Sequence, residues 1–141
     1  MAAGKAKTVA DLMSRKTVMI GPEALLDQAA QVMVEHRIGS ILVMEGERLV
    51  GILTERDVLR AMAEEAGAGR GRHPATEPVS DWMTPDPDTI EPDVRPGHAI
   101  SLMMHGGYRH LPVLEGDRLI GMLSLRDLTT TLFEGEAPQG V

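Results

Sequence analysis

Residues 51–62 read GILTERDVLRAM, and residues 121–132 read GMLSLRDLTTTL. Each phrase contains a glycine, a few apolar residues, a hydroxyl-bearing residue, an Arg-Asp pair and then a helix-like run. A short apolar segment is typical of a buried strand, and a hydroxyl is a preferred residue where a helix begins. Each phrase therefore predicts a strand that turns directly into a helix.

The turn inside each phrase predicts a capped helix. The hydroxyls of Thr54 and Ser124 are natural N-caps. Asp57 and Asp127 stand at the third helical position, where a carboxylate can close a capping box and face the positive end of the helix. Spacing alone leaves two interpretations open, namely that the aspartates only cap the helices or that they also bind a ligand.

A longer internal repeat contains both phrases. Residues 9–62 align with residues 79–132 at a constant offset of 70 without a gap, and 16 of the 54 aligned positions are identical. Two copies are fewer than a solenoid needs, so we expect a closed pair with pseudo-two-fold symmetry. We place repeat 1 at residues 8–62, a linker at residues 63–78 and repeat 2 at residues 79–133, with the two repeats forming one compact pair.

Each repeat carries the same series of predicted elements. A short helix opens the repeat, at Val9–Met13 and at Val79–Met83, and a short strand and an amphipathic helix follow. In the second copy Gly106 and Gly107 end this helix. A two-stranded hairpin then leads into the last helix, so the fold class is α/β (α+β), with two tandem β-α-β-β-α repeats. The predicted strands are Val18–Ile20, Ser40–Met44 and Leu49–Leu53 in the first copy and Thr89–Ile90, Leu111–Leu114 and Leu119–Leu123 in the second.

Composition argues against several classes of protein. The 141 residues are 43% hydrophobic and 25% charged, as in globular proteins, and the net charge of −7 argues against nucleic-acid binding. The absence of cysteine excludes disulfides and thiolate metal sites and fits a reducing compartment, so we expect a cytoplasmic protein. No apolar run approaches the ~20 residues that span a membrane.

The sequence contains no recognisable catalytic set. The five histidines have no metal-like spacing, and no cysteine supports them. No Ser/His/Asp arrangement is identifiable, although a dispersed one would not be visible in a sequence. We therefore expect a protein that is not an enzyme, with no catalytic cofactor and no metal.

The repeated segments resemble a tandem pair of CBS domains, the module named after cystathionine β-synthase. The resemblance is carried by RIGSILVMEGERLVGILTERD, residues 37–57, and by YRHLPVLEGDRLIGMLSLRD, residues 108–127. It extends over about residues 8–133. It implies a stand-alone regulatory module in signal transduction that binds AMP, ADP, ATP, NAD or S-adenosylmethionine in clefts between the repeats. The alternative is a ligand-free structural or protein-interaction module.

The resemblance also implies that each cleft combines segments of both repeats. A carboxylate can accept hydrogen bonds from both ribose hydroxyls, helix N-terminal N–H groups bind phosphate, and arginine adds a forked charged donor. One cleft would contain Thr17, Ile20, Gly39, Ser40, Ser124, Arg126 and Asp127. The other would contain Thr89, Ile90, Arg109, His110, Thr54, Arg56 and Asp57.

A purely structural interpretation of several of these residues also stays open. Arg56 and Arg126 could be solvated surface charges, and His110 could be a structural histidine. Thr17 and Ser40 could be strand residues only. The copies differ at residues 55 and 125 and at residues 38–41 against residues 108–111. We therefore expect the two clefts to differ in selectivity.

The expected partners are an adenosyl ligand, a second copy of the chain and an effector protein in trans. No effector domain is identifiable within the 141 residues, so a separate chain would read the bound state. We expect a homodimer, because the helices of one pair have more apolar surface than the pair can cover. The residues expected on that surface are Met33, Met62, Met103, Leu132 and Phe133.

Overall fold

A computed structural model of the chain describes the backbone of residues 7–68 and 73–134. The helices are α1 (Val9–Leu12), α2 (Leu26–His36), α3 (Glu55–Ala68), α4 (Pro96–Gly106) and α5 (Leu125–Glu134). The strands are β1 (Met19–Ile20), β2 (Ser40–Glu45), β3 (Arg48–Thr54), β4 (Thr84–Pro85), β5 (His110–Glu115) and β6 (Arg118–Ser124). Two 3-10 turns lie at Pro74–Thr76 and Val79–Asp81.

The chain forms two compact units. The described residues of 17–87 make up the first unit, and the described residues of 1–16 and 88–141 make up the second unit. Both repeats contain the predicted amphipathic helix, hairpin and final helix, so the α/β class with tandem repeats is confirmed.

The first unit is built on a four-stranded sheet in the order β1-β2-β3-β4. Strand β1 runs parallel to β2, β2 and β3 form an antiparallel hairpin, and β4 pairs antiparallel with β3. Gly46, at φ 63°, occupies the first of the two hairpin loop positions, where this backbone conformation favours glycine. The core is aliphatic apart from one tryptophan and consists of Leu26, Ala29, Met33, Ile41, Val43, Leu53, Ala61, Val79 and Trp82.

The second unit is built on the β5–β6 hairpin. Ile90 forms a parallel bridge with Val113, and Ser14 forms an antiparallel bridge with Met122. Gly107, at φ 72°, ends α4 as predicted. The core consists of Val9, Met13, Ile90, Ala99, Met103, Leu111, Val113, Leu123 and Leu128.

The segment that opens each repeat packs in the unit that contains the other repeat's hairpin. Met83 lies over Gly51 in the first unit, and Met13 lies over Gly121 in the second. A Cβ atom at Gly51 would approach Met83 Sδ to 2.3 Å, and one at Gly121 would approach Met13 Sδ to 2.6 Å. The glycine that begins each repeated phrase therefore makes room for a methionine from the opposite repeat.

Several predicted boundaries need correction. The opening of repeat 2 is a 3-10 turn rather than an α-helix, and the predicted strand Thr89–Ile90 is reduced to the single bridge at Ile90. Helix α3 continues six residues past Met62, into the segment predicted as a linker. The end of that segment also packs. Pro74 is buried, and the Glu77 backbone oxygen accepts a hydrogen bond from the Leu26 N–H at 2.9 Å. Residues 69–72 of the predicted linker and the predicted tails at 1–6 and 135–141 lie outside the described residues.

The predicted apolar surface is partly wrong. Met33 and Met103 are only 5% and 2% exposed, because the inner faces of α2 and α4 pack on the sheets. Met62 is exposed as expected, and the side chains of Leu132 and Phe133 lie outside the described residues. Within residues 7–68 and 73–134, no helix is both long enough and apolar enough to cross a membrane.

Candidate functional site

In the first unit, Thr54 and Asp57 meet where β3 passes into α3. Asp57 Oδ2 accepts hydrogen bonds from the Thr54 backbone N–H at 2.8 Å and from the Thr54 hydroxyl at 3.2 Å. The half-buried carboxylate also faces the partial positive charge at the start of the helix. The carboxylate half of the predicted capping box is confirmed here, whereas the Thr54 hydroxyl donates to Asp57 instead of accepting from the helix.

In the second unit, Ser124 and Asp127 meet in the same way between β6 and α5. Asp127 Oδ2 accepts a hydrogen bond from the Ser124 backbone N–H at 2.8 Å, and the Ser124 hydroxyl accepts one from the Asp127 backbone N–H at 3.0 Å. This reciprocal pair is a complete capping box. The two units thus use the hydroxyl differently, since that of Thr54 donates whereas that of Ser124 accepts.

Asp57 has a further partner in Arg60. Arg60 Nη2 lies 3.4 Å from Asp57 Oδ1 and donates to the backbone oxygen of Trp82 at 3.2 Å. The guanidinium also lies over the Trp82 ring, 5.3 Å from its centroid, and Trp82 Nε1 donates to Glu77 Oε1 at 3.0 Å. An exposed pair three residues apart contributes little to stability. A ligand hydroxyl that approached Asp57 Oδ1 would share it with Arg60 or displace Arg60.

The segment that enters the first hairpin lies beside this turn. Ser40 is buried and pairs with Thr54, and the Gly39 oxygen accepts a hydrogen bond from the Glu55 N–H at 3.0 Å. A Cβ atom at Gly39 would lie 3.3 Å from Glu55 Cδ and 3.4 Å from both Glu55 carboxylate oxygens. The carboxylate of Glu55 therefore lies across Gly39.

The equivalent segment of the second unit has different side chains. His110 pairs with Ser124, and the Arg109 oxygen accepts a hydrogen bond from the Leu125 N–H at 2.8 Å. Leu125 stands at the position of Glu55 but packs against the core, and Arg109 is exposed. The backbone of the two ends is therefore alike, whereas the charge that each end presents is not.

Tyr108 adds a polar contact close to the second hairpin. Its hydroxyl donates to Asp88 Oδ2 at 2.7 Å. Burial raises the pKa of Tyr108 to about 12, with help from the hydrogen bond to Asp88 and from the negative charge of Asp88. The phenol is thus neutral at any physiological pH and serves as a donor.

The remaining predicted residues differ in exposure. Thr17 stands two residues before Met19, whose partner Leu42 is two residues after Ser40, so Thr17 lies at the same end of the sheet. Ile90 is only 4% exposed and has little surface to offer a ligand. Ile20 is half-buried against the core of the first unit, whereas Thr89, Arg56 and Arg126 are exposed.

Within each unit, the turn and the segment before the hairpin come together. The first unit groups Gly39, Ser40, Thr54 and Asp57, and the second groups Arg109, His110, Ser124 and Asp127. The ligand-binding roles of these residues, and the prediction that each cleft takes parts from both repeats, stay predictions. Among the described residues, no group of three or more His, Asp or Glu side chains is placed to bind a metal ion.

Sequence reasoning missed two contacts at these sites. It noted that the residues at 55 and 125 differ but gave no place to Glu55, and it did not connect Arg60 with Trp82 across 22 residues. The signal for the second contact was the chain's single tryptophan, which occurs in one repeat only. A side chain unique to one copy marks a contact that the repeat itself does not predict.

Comparisons with known proteins agree with the duplication. A family model described as CBS domain matches residues 9–64 and residues 79–134. The CBS domain-containing protein YhcV of Bacillus subtilis is 31% identical over 131 residues, which cover 92% of this chain and 89% of YhcV.

Two solved structures share the fold. A putative signal-transduction protein with CBS domains from Burkholderia ambifaria matches with a TM-score of 0.87 and 29% identity, over 96% of this chain and 100% of that chain. CBSX2, solved in complex with AMP, matches with a TM-score of 0.77 over 93% of this chain and 99% of that chain. At 23% identity the similarity to CBSX2 establishes the fold alone.

Proposed function

The chain belongs to the CBS-domain family, and from that premise we propose that it is a regulatory sensor that binds an adenosine-containing ligand. The two helix-capping aspartates are the proposed ribose acceptors, together with the segments before the two hairpins. The ligand classes are AMP, ADP, ATP, NAD and S-adenosylmethionine. The complex of CBSX2 with AMP supports the adenine-nucleotide class.

The observation that carries this proposal is the occurrence, in both units, of a carboxylate beside a helix N-terminus and a hairpin entry. Each carboxylate uses Oδ2 for the cap. A carboxylate has about four acceptor sites on its two oxygens, so a capping carboxylate retains acceptor capacity for ribose hydroxyls. The N–H groups of Glu55 and Leu125 already donate to Gly39 and Arg109, so it is the partial positive charge at the start of α3 and α5 that favours a phosphate group there.

Regulation would follow from unequal binding to two conformations. A ligand shifts a conformational equilibrium only by its difference in affinity for the two states. We propose that a separate effector protein in the cytoplasm reads that shift and that the sensor works as a homodimer, without catalysis. Sedimentation of the protein at micromolar concentration tests the dimer, since a strictly monomeric species would contradict it.

Two observations favour the second candidate, a ligand-free interaction module. Both aspartates are satisfied as helix caps by the chain itself. In addition, four apolar side chains on the outer faces of α2, α3 and α4 are exposed. They are Val34 at 77%, Leu59 at 65%, Met62 at 61% and Met104 at 73%.

Asp11 supplies a matched control that separates the two candidates. Its Oδ2 accepts hydrogen bonds from the Thr8 N–H at 2.8 Å and the Thr8 hydroxyl at 3.2 Å, the same distances as at Asp57. It lies outside the predicted ligand-binding set. Replacing it with alanine therefore removes a comparable cap without touching the proposed site.

The test is calorimetric titration of AMP, ATP, NAD and S-adenosylmethionine into the protein and into its Asp57→Ala, Asp127→Ala and Asp11→Ala variants. Loss of a cap should cost each variant about 1 kcal/mol of stability. Loss of a charged ribose acceptor should weaken one binding step by about 10- to 100-fold in the first two variants only. If no ligand binds, or if all three variants bind as the parent does, the interaction module is the better conclusion.

A further inference from the structure

The two hairpin entries present opposite charges at equivalent places. In the first unit, Gly39 has no side chain and the Glu55 carboxylate lies across it, with a Cβ at Gly39 falling 3.3 Å from Glu55 Cδ. In the second unit, the exposed Arg109 occupies the position of Gly39, and Leu125 replaces Glu55 and packs against the core. One end therefore carries a carboxylate where the other carries a guanidinium.

Backbone hydrogen bonds fix this difference in position. The Glu55 N–H donates to the Gly39 oxygen at 3.0 Å, and the Leu125 N–H donates to the Arg109 oxygen at 2.8 Å. Glu55 therefore has the same backbone position relative to Gly39 as Leu125 has relative to Arg109. A ligand that approached Gly39 closely would meet the Glu55 carboxylate.

The arginine that follows Glu55 and the one that follows Leu125 do not cancel the difference. Arg56 and Arg126 are equivalent, and both are exposed, so they add the same charge to both ends. Within the part of the chain that the structure describes, no ion pair joins Glu55 to Arg37 or Arg56. The negative charge of Glu55 is therefore not neutralised by a salt bridge.

We propose that Glu55 is a specificity-determining residue that makes the Gly39 end select adenosine derivatives without phosphate, whether neutral or cationic. The Arg109 end then takes the phosphate-bearing, anionic ligands. Like charges at close range repel, and juxtaposed like charges are a general means of rejecting the wrong ligand. This inference rests on the proposed function, because it assigns a ligand class to each of the two proposed sites.

Glu55→Gln is the informative variant, because it removes the charge and keeps the size of the side chain. Adenosine, AMP and ATP are titrated into the parent and the variant by calorimetry at about 0.1 M salt. We expect the affinity for ATP at the affected site to rise about tenfold in the variant, from the loss of one like charge at a solvent-exposed site. The affinity for adenosine should change less than twofold, and AMP should lie between.

Glu47→Gln is the matched control. Glu47 is an exposed carboxylate of the same unit, in the turn between Glu45 and Arg48. Glu55 lies at the other end of the hairpin, directly after the Ser40–Thr54 pair. A hairpin of this length separates the two by roughly 17–20 Å. That distance exceeds the Debye length of about 10 Å at 0.1 M salt, so Glu47→Gln should leave all three affinities unchanged.

The second unit allows the reverse experiment. Leu125→Glu places a carboxylate at the position equivalent to Glu55, and Leu125→Gln is its uncharged counterpart. The affinity for ATP at one site should be about tenfold lower in Leu125→Glu than in Leu125→Gln, with adenosine equal in the two variants. Thermal melting of both variants shows whether each is folded, so the comparison uses two proteins with the same polar change in the core.

The outcomes separate this inference from the proposed function. If the affinities for adenosine and ATP change by the same factor in Glu55→Gln, or if neither affinity changes, the proposed role of Glu55 is overturned. The protein would still be a ligand-binding sensor. An equal effect of Glu47→Gln overturns it as well, because net charge would then explain the result. If no adenosine derivative binds the parent or any variant, both the proposed function and this inference fail.

Discussion

Replacing the first glycine of each repeated phrase with alanine should destabilise the two units unequally. At Gly121 the new Cβ would lie 2.6 Å from Met13 Sδ and 2.9 Å from the backbone oxygen of Ser14. At Gly51 the three nearest atoms all belong to the Met83 side chain, with Sδ at 2.3 Å. Ordinary contact between such atoms requires about 3.5–4.0 Å. One of the three nearest atoms at Gly121 is thus backbone, whereas at Gly51 all three belong to a flexible side chain.

The expected magnitudes follow from what has to move. The Ser14 oxygen accepts a hydrogen bond from the Met122 N–H at 2.9 Å, and the Ser14 N–H donates to the Met122 oxygen at 2.8 Å, so a shift of Ser14 strains this pair. Overpacking of a core costs about 1–3 kcal/mol, and a lost hydrogen bond adds about 1 kcal/mol. Alanine returns about 0.5–1 kcal/mol because glycine loses more freedom on folding. We expect Gly121→Ala to cost about 2–3 kcal/mol.

Gly51→Ala should cost about 1 kcal/mol or less, because Met83 is only half-buried and has rotatable bonds that let its sulfur move away. The measurement is urea denaturation of each variant, followed by circular dichroism, with thermal melting as a second probe. A difference of about 1–2 kcal/mol corresponds to several degrees in Tm for units of this size.

The methionine-truncated backgrounds test the reasoning directly. In a Met83→Ala background, Gly51→Ala should cost nothing further, because the obstructing side chain is gone. In a Met13→Ala background, Gly121→Ala should still destabilise, because the Ser14 oxygen remains. Full rescue of Gly121→Ala by Met13→Ala would refute the claim that the backbone oxygen is the obstacle. Equal costs of the two glycine substitutions in the parent would refute the asymmetry itself.

Three further predictions concern single side chains. Gly106→Ala should destabilise the protein by about 1–3 kcal/mol in denaturant titrations, because its Cβ would overlap the rigid ring of Tyr108. Gly97→Ala in the same helix is the control, because its Cβ would meet nothing within 4 Å and the substitution should be neutral or stabilising. Tyr108 is the only tyrosine, so its phenolate absorbance should titrate near pH 12 in the folded protein; Asp88→Ala should lower that pKa but leave it above 10, since burial is the larger cause. The raised pKa favours the folded state below pH 10 and is lost as the pH rises toward 12, so Tyr108→Phe should flatten the fall in stability over that range. Arg60→Ala removes the cation over the only tryptophan, so it should change the tryptophan emission and cost about 0.5–1 kcal/mol in a melting experiment.

Local sequence signals were enough to predict the hairpins, the helix caps and the end of α4. The Glu-Gly pair at the start of each turn predicts the hairpin, and Gly46 and Gly116 both have φ 63°. The Thr54–Asp57 spacing predicts a cap that forms within four residues. Such features depend on short-range geometry that residue types largely determine. They were therefore predictable from one sequence.

The packing of each opening segment against the hairpin of the other repeat was not predictable in the same way. Met13 and Met83 are equivalent, and so are Gly51 and Gly121, so either methionine fits either glycine on sequence alone. Which copy packs on which is decided by chain connectivity and by the whole core, and a repeat contains no signal for that choice. For the candidate site, the sequence predicted the turns and the hairpin entries but combined each turn with the entry of the other repeat, whereas within each unit a turn lies beside the entry of its own repeat. It also did not show that the carboxylate of Glu55 lies across a glycine.

The repeated phrase is explained first by architecture. Its glycine accommodates a methionine, its leucine is buried in each core and its aspartate begins a helix, so three of its four identical residues have a structural role, whereas the exposed Arg56 and Arg126 have none. Identity between the copies therefore does not by itself argue for a ligand. The residues that differ at equivalent backbone positions, Glu55 and Leu125 together with Gly39 and Arg109, have no such shared structural role. If the two ends bind different ligands, that difference can arise at these four positions and at Ser40 and His110. Substitutions of the exposed Glu55 and Arg109 should change selectivity more than stability.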